Sequence, residues 1–130
     1  MEKNIYIDFT HICENVIDAK NGNLSLINIF NQITSSNFPA VYSQMYVVVG
    51  GRGIKGEYPV SIKIENKTTG KIVVREQVLP NKIIIPEDTG EGRLYIKFSP
   101  LILETEGKYE IMLSIEGESK NLFFDVKSSK

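Results

Sequence analysis

His11 and Cys13 lie two residues apart, and they are the only histidine and the only cysteine in the chain. An imidazole beside a thiol can act as base and nucleophile, or the two can supply ligands to zinc. Both schemes need more than the pair. A cysteine nucleophile requires an oriented base and donors for an oxyanion, and no motif marks either. Zinc requires further soft ligands, and there is no other histidine or cysteine to provide them. On a strand the two side chains share one face, with Glu14 on the other. A lone cysteine so placed reads as a small buried hydrophobe, and the pair is expected to pack into the core.

The second tempting group is Gly51-Arg52-Gly53-Ile54-Lys55-Gly56, which spells G-x-G-x-x-G after the apolar run Met45 to Val49. In a dinucleotide fold such glycines bring the backbone close to a pyrophosphate at a helix N-terminus. Here Glu57-Tyr58-Pro59 follows, and then a period-two run from Val60, so no helix supplies the donors. Residues 50–56 are expected to form an irregular loop or bulged strand end, with Arg52 and Lys55 available for a weak anion or partner contact. Acidic residues gather at Glu87-Asp88 with Glu91, and at Glu104 with Glu106. They lack the D-x-D spacing of calcium-binding sandwich loops and read as solvated loops. Asn23-Leu24-Ser25 and Asn66-Lys67-Thr68 match the glycosylation sequon, which has meaning only in a secreted chain. No catalytic, metal or cofactor site is expected.

Composition narrows the partners. The formal net charge is -1, which lacks the basic excess that collects nucleic-acid phosphates or anchors a polybasic segment to a membrane. The hydrophobic fraction of 42% suits one buried core, and the 130 residues are expected to form a single domain. A single cysteine cannot form an internal disulfide, which leans toward a reducing compartment. Asp8 and Thr10-His11 interrupt the apolar start, so no signal peptide is expected. The longest apolar runs, Met45 to Val49 and Ile83 to Ile85, are far shorter than the ~20 residues of a membrane span. The expected location is the cytoplasm, and the richness in Ile, Lys and Asn suits an AT-rich bacterial genome.

The elements that must position these residues alternate with period two. Val60, Ile62 and Ile64 face one way while Ser61, Lys63 and Glu65 face the other. Leu94, Ile96 and Phe98, then Tyr109, Ile111, Leu113 and Ile115, then Leu122, Phe124 and Val126 repeat the pattern, with Phe123 on the outer face. Such runs bury one face and wet the other, as in antiparallel sheets packed face to face. About eight or nine strands are expected, near 4–13, 24–33, 45–51, 58–65, 71–79, 82–85, 93–98, 108–116 and 121–127. Turns fall at Asn21-Gly22, Thr69-Gly70 and Glu116-Gly117. The segment Leu24 to Ile33 reads either way. Leu26, Ile29, Phe30 and Ile33 have helical spacing, whereas its β-branched content and lack of good helix formers favour strand with a bulge. The expected core comprises Ile7, Phe9, Ile62, Ile64, Leu94, Ile96, Phe98, Ile111, Leu113, Ile115, Phe124 and Val126.

Gly107-Lys108-Tyr109-Glu110-Ile111 resembles the start of the penultimate strand of immunoglobulin-like domains. The resemblance implies that Tyr109 closes a corner by bonding its hydroxyl to upstream backbone. Ile111 stands where antibody domains carry cysteine, and the chain has no tryptophan. Cys13-Glu14, Leu24 to Phe30, Phe38-Pro39-Ala40, Gly56-Glu57 and Gly107 to Glu110 resemble an uncharacterised family of small bacterial proteins, a domain of unknown function. That resemblance implies a stand-alone β domain and carries no site residues.

The functional reading is a non-enzymatic interaction or accessory domain, with an unidentified protein partner or a second copy of the chain. A small-molecule or carbohydrate binder is the alternative, and a Cys13-dependent enzyme the third.

Overall fold

The computed structural model describes residues 4–19 and 23–130. The alternating runs become strands: β1 (Ile5–Asp18), β2 (Leu24–Ile29), β3 (Gln32–Ser35), β4 (Ala40–Tyr42), β5 (Met45–Gly53), β6 (Gly56–Asn66), β7 (Ile72–Ile85), β8 (Glu91–Phe98), β9 (Leu101–Leu103), β10 (Gly107–Ile115) and β11 (Glu118–Ser128). They form a four-stranded sheet, β2-β1-β5-β8, and a five-stranded sheet, β3-β11-β10-β6-β7, with β4-β9 as a small third pair. Every pairing is antiparallel except β11 with β3. The fold is an immunoglobulin-like all-β sandwich. No helix among the described residues is long and apolar enough to cross a membrane.

The core lies between the sheets. Val47 and Val49 of β5 meet Ile62 and Ile64 of β6, Ile111, Leu113 and Ile115 of β10, and Phe124 and Val126 of β11, all buried. Ile7, Ile96 and Phe98 are only partly buried and pack on its margin. Phe9 departs from the expectation. The register of β1 against β5 shifts between Ile7 and Phe9, so a bulge at Asp8 turns Phe9 from the inner to the outer face.

Three further corrections have physical causes. The segment Leu24 to Ile33 is extended, but it is two strands rather than one bulged strand. Asn28 adopts a left-handed φ of 56°, and the chain then leaves the first sheet to pair with β11 in the second. Ile33 is buried in the core whereas Ile29 is exposed, so the helical spacing reflects a change of sheet. The break expected between residues 79 and 82 is absent, because β7 runs on through Pro80. Its partner β6 shifts register between Pro59 and Ser61, which accommodates two residues without a backbone donor. Finally, β4 and β9 have three residues each, too few to display a period, so eleven strands stand among the described residues where eight or nine were expected.

The turns hold where their chemistry is strong. Ile115 pairs with Glu118 across Glu116 (φ 46°) and Gly117 (φ 82°), the two positive values of a tight hairpin. The turn expected at Asn21-Gly22 lies outside the described residues. Gly107 has a φ of 148°, and a Cβ there would come within 2.7 Å of the Asn66 side chain. Two residues on, Tyr109 is 1% exposed and its hydroxyl donates to the Thr105 carbonyl at 2.6 Å, the expected corner. Tyr109→Phe removes this hydrogen bond of a buried side chain and is expected to cost about 1–2 kcal/mol. Urea unfolding with an unchanged m-value checks this.

Candidate functional site

The bulge at Asp8 determines what the outer face of the four-stranded sheet carries. From Phe9 onward, β1 sends Phe9, His11 and Cys13 outward, in register with Gly50, Val48 and Tyr46 of β5. Those in turn stand opposite Arg93, Tyr95 and Lys97 of β8. The Phe9 ring lies on Gly50, where a Cβ would approach Phe9 Cε1 to 2.1 Å. His11 packs against the same ring at a centroid distance of 5.7 Å.

Beyond Cys13, β1 leaves β5 and pairs only with β2. In a straight strand Asp18 would lie about 23 Å from His11. Instead the Tyr95 hydroxyl, in register with Val48 and hence with His11, donates to Asp18 Oδ2 at 3.0 Å. The β1–β2 pair therefore turns back as a two-stranded arm across the outer face of its own sheet. Leu24 and Leu26 of the arm line a cavity with Phe9, His11, Val48 and Arg93. This cover explains why Val48 has no exposure although it points away from the sandwich core.

Cys13 sits in the crook of the arm, fully buried, between Tyr46 and Ile29 in register. Its burial lies on the outer side of the four-stranded sheet, in line with Phe9 and His11, and not between the sheets, where the pair was expected. Desolvation pushes the thiol pKa up, partly offset by a hydrogen bond from the Asn15 backbone. A buried thiol of raised pKa is mostly protonated at neutral pH, the opposite of an activated nucleophile. Its contribution to stability is complete at neutral pH and falls as pH rises past the ordinary thiol value of about 8.5. Cys13→Ser is expected to fold and to lose about 1–2 kcal/mol, for a hydroxyl placed in an apolar site. Guanidinium unfolding at pH 7 measures this.

Two cavities open along the arm. One of 360 Å³ is lined by Phe9, His11, Leu24, Leu26, Val48 and Arg93. The other, of 510 Å³, shares Leu24 and Arg93 with it and adds Asp18, Glu91 and Tyr95. Together they make a groove with an apolar floor and mixed charges at one end. Arg93, Asp18 and Tyr95 carried no motif in the sequence, because only the folded-back arm brings them together.

The other sequence candidates are occupied by structure. Gly51 and Gly53 complete β5, and β6 starts at Gly56, so the glycine run is a strand end and a short connection between sheets. Tyr58 closes that connection by donating to the Ile54 carbonyl at 2.7 Å. Arg52 reaches Asp8 at 4.0 Å, and Lys55 reaches Glu87 at 3.9 Å. Glu104 pairs with Lys71, and Asp88 accepts from the Thr89 backbone. Glu110, buried on the outer face of the second sheet, is held by Lys67 at 3.6 Å and Asn121 at 3.1 Å.

The far side of the arm is different. Ile17, Ile27 and Ile29 stand on one face by their register and are 52%, 42% and 54% exposed. Ile27 and Ile29 belong to β2, an edge strand with no neighbour beyond it among the described residues. The sequence held a trace of this surface: Leu24-Ser25-Leu26-Ile27-Asn28-Ile29 is apolar at both parities, as a strand contacted on both faces would be.

The chain matches the model of a family of unknown function (DUF6941) over residues 8–124 and belongs to that family. No curated protein matches it. Among solved structures it is similar to part of an alkylpurine DNA glycosylase from Pseudomonas fluorescens, solved bound to DNA containing an abasic site analog. That likeness has a TM-score of 0.57 at 10% identity, and covers 95% of this chain and 30% of the glycosylase. It is similar to part of a β-glucosidase from Erythrobacter marinus (TM-score 0.58, 9% identity, 94% of this chain and 15% of the enzyme). It is also similar to an immunoglobulin-like protein from Pseudomonas aeruginosa (TM-score 0.52, 14% identity, 95% and 97%). The chain thus spans less than a third of the two enzymes, and at these identities the likeness is one of fold.

Proposed function

We propose that this member of a family of unknown function is a non-enzymatic interaction domain that binds a polypeptide through its β1–β2 arm. One observation carries the reading: three exposed isoleucines lie on one face of an arm whose outer strand is an open sheet edge. An open edge offers backbone donors and acceptors to an added strand, and the isoleucines give that strand an apolar surface to cover. The buried, protonated Cys13 supports a role without thiol chemistry. One unpaired thiol and a net charge of -1 support a cytoplasmic setting with a protein rather than nucleic acid as partner.

A second reading, a small-molecule or sugar binder, is favoured by the groove beneath the arm. Its 360 Å³ cavity is within the size of ligand sites and combines apolar walls with Arg93 and His11. The two readings separate in one experiment. A photo-reactive residue at position 29, on the arm, should form a polypeptide adduct in native cells, and one at position 123, on the far sheet, should not. Equal adducts at both positions, or none at either, would count against the interaction reading.

A further inference from the structure

We infer that the polypeptide bound by the arm is a second copy of this chain, joined edge to edge through β2. The inference rests on the interaction reading above and adds the identity of the partner.

The four edges of the two larger sheets differ in how they treat an approaching strand. β8 carries Glu91, Arg93 and Lys97, while β7 carries Arg75, Glu76 and Lys82 with Pro80. β3 has only four residues. Charges, prolines and shortness are the usual guards of an edge. β2 has six residues, Leu24-Ser25-Leu26-Ile27-Asn28-Ile29, with neither charge nor proline. A neutral strand can meet its own copy without like-charge repulsion, which the charged edges of β7 and β8 would oppose.

Antiparallel self-pairing about a two-fold axis through Ile27 sets Ile27 opposite Ile27 of the second copy. It sets Ser25 opposite Ile29 of that copy, on the same face. Ile17 lies behind Ser25 on β1, in register with it. Ile29 of each copy therefore approaches Ile17 of the other, and all the exposed isoleucines of both arms join in one apolar band. The two four-stranded sheets become one continuous sheet, and the edge disappears. The contact is isologous and closed, so assembly stops at the dimer.

Sedimentation equilibrium tests this with the full chain. Wild type should dimerise with a dissociation constant below about 100 µM. Ile27→Lys should weaken association at least about tenfold, with an unchanged circular dichroism spectrum, because it sets two like charges across the axis. Val41→Lys, at an apolar site on β4 that is more exposed than Ile27, should leave the dimer intact. Should Ile27→Lys fail to fold, Ile27→Cys serves instead: under mild oxidation it should form a disulfide-linked dimer faster than Val41→Cys does. A monomeric wild type, a dimer indifferent to Ile27→Lys, or equal linking of the two cysteine variants would overturn the inference. A monomer that still gives an adduct to a different polypeptide from position 29 would overturn the self-pairing alone and leave the interaction reading standing.

Discussion

Replacing Phe124 with alanine is expected to cost about 3–5 kcal/mol, whereas the same change at Phe123 should cost under about 0.5 kcal/mol. Phe124 is 1% exposed and Phe123 is 44% exposed, although they are neighbours of identical chemistry. The Phe124 ring stacks on Tyr109 at 5.2 Å and 17°, and the two residues pair in register across β10 and β11. Truncation therefore empties a site beside the tyrosine corner, where packed strands on both sides limit collapse. Total stability of a domain this size is of order 5–15 kcal/mol, so the variant should be near the edge of folding at 37 °C. Phe123 lies beneath the Lys108 ammonium, 5.3 Å from its ring centre, and an exposed contact of that kind contributes little. Thermal and urea unfolding of both variants checks the contrast. Equal losses would mean that the period-two assignment of β11 is wrong.

Gly50→Val should cost about 1–3 kcal/mol, through overpacking on the outer face of the first sheet. The new Cβ would approach Phe9 Cε1 to 2.1 Å, so the ring must leave its place over β5. Phe9 lines the cavity with Leu24 and Leu26, and its displacement pushes at the arm that covers Val48. Hydrogen exchange in residues 24–29 should rise more than in residues 107–115, which lie in the other sheet. Phe9→Ala should relieve the clash, so the double variant should be more stable than the sum of the single losses by about 1 kcal/mol or more. Strict additivity would mean that Phe9 does not rest on Gly50.

The expectations that held came from signals contained within one strand or turn. Ile62, Ile64, Ile111 and Leu113 alternate without interruption, and the structure buries all four. Glu116-Gly117 needs only its own backbone preference, and Tyr109 only the carbonyl four residues upstream. The departures came from events between strands. A bulge at Asp8 reverses the faces of Phe9, His11 and Cys13, and alternation alone carries no mark of one extra residue. The change of sheet after Asn28 mimics helical spacing, because Ile29 and Ile33 answer to different surroundings. The groove was illegible for the same reason. Arg93 and Tyr95 meet Asp18 and Leu24 only because β1 turns back on itself, a contact about seventy residues apart in the chain. Single histidine and cysteine residues drew notice by rarity, while the exposed isoleucines of the arm were hidden among the isoleucines of the core.

The central claim is that this domain acts through the surface of its β1–β2 arm and not through chemistry at Cys13. The most direct test is the yield of the polypeptide adduct from position 29 in native cells, compared between the otherwise wild-type chain, Cys13→Ser and Ile27→Lys at equal expression. The account predicts that Cys13→Ser keeps the adduct and that Ile27→Lys loses it, with the melting curve of Ile27→Lys unchanged. Loss of the adduct in a stably folded Cys13→Ser, or its retention in Ile27→Lys, would contradict the account.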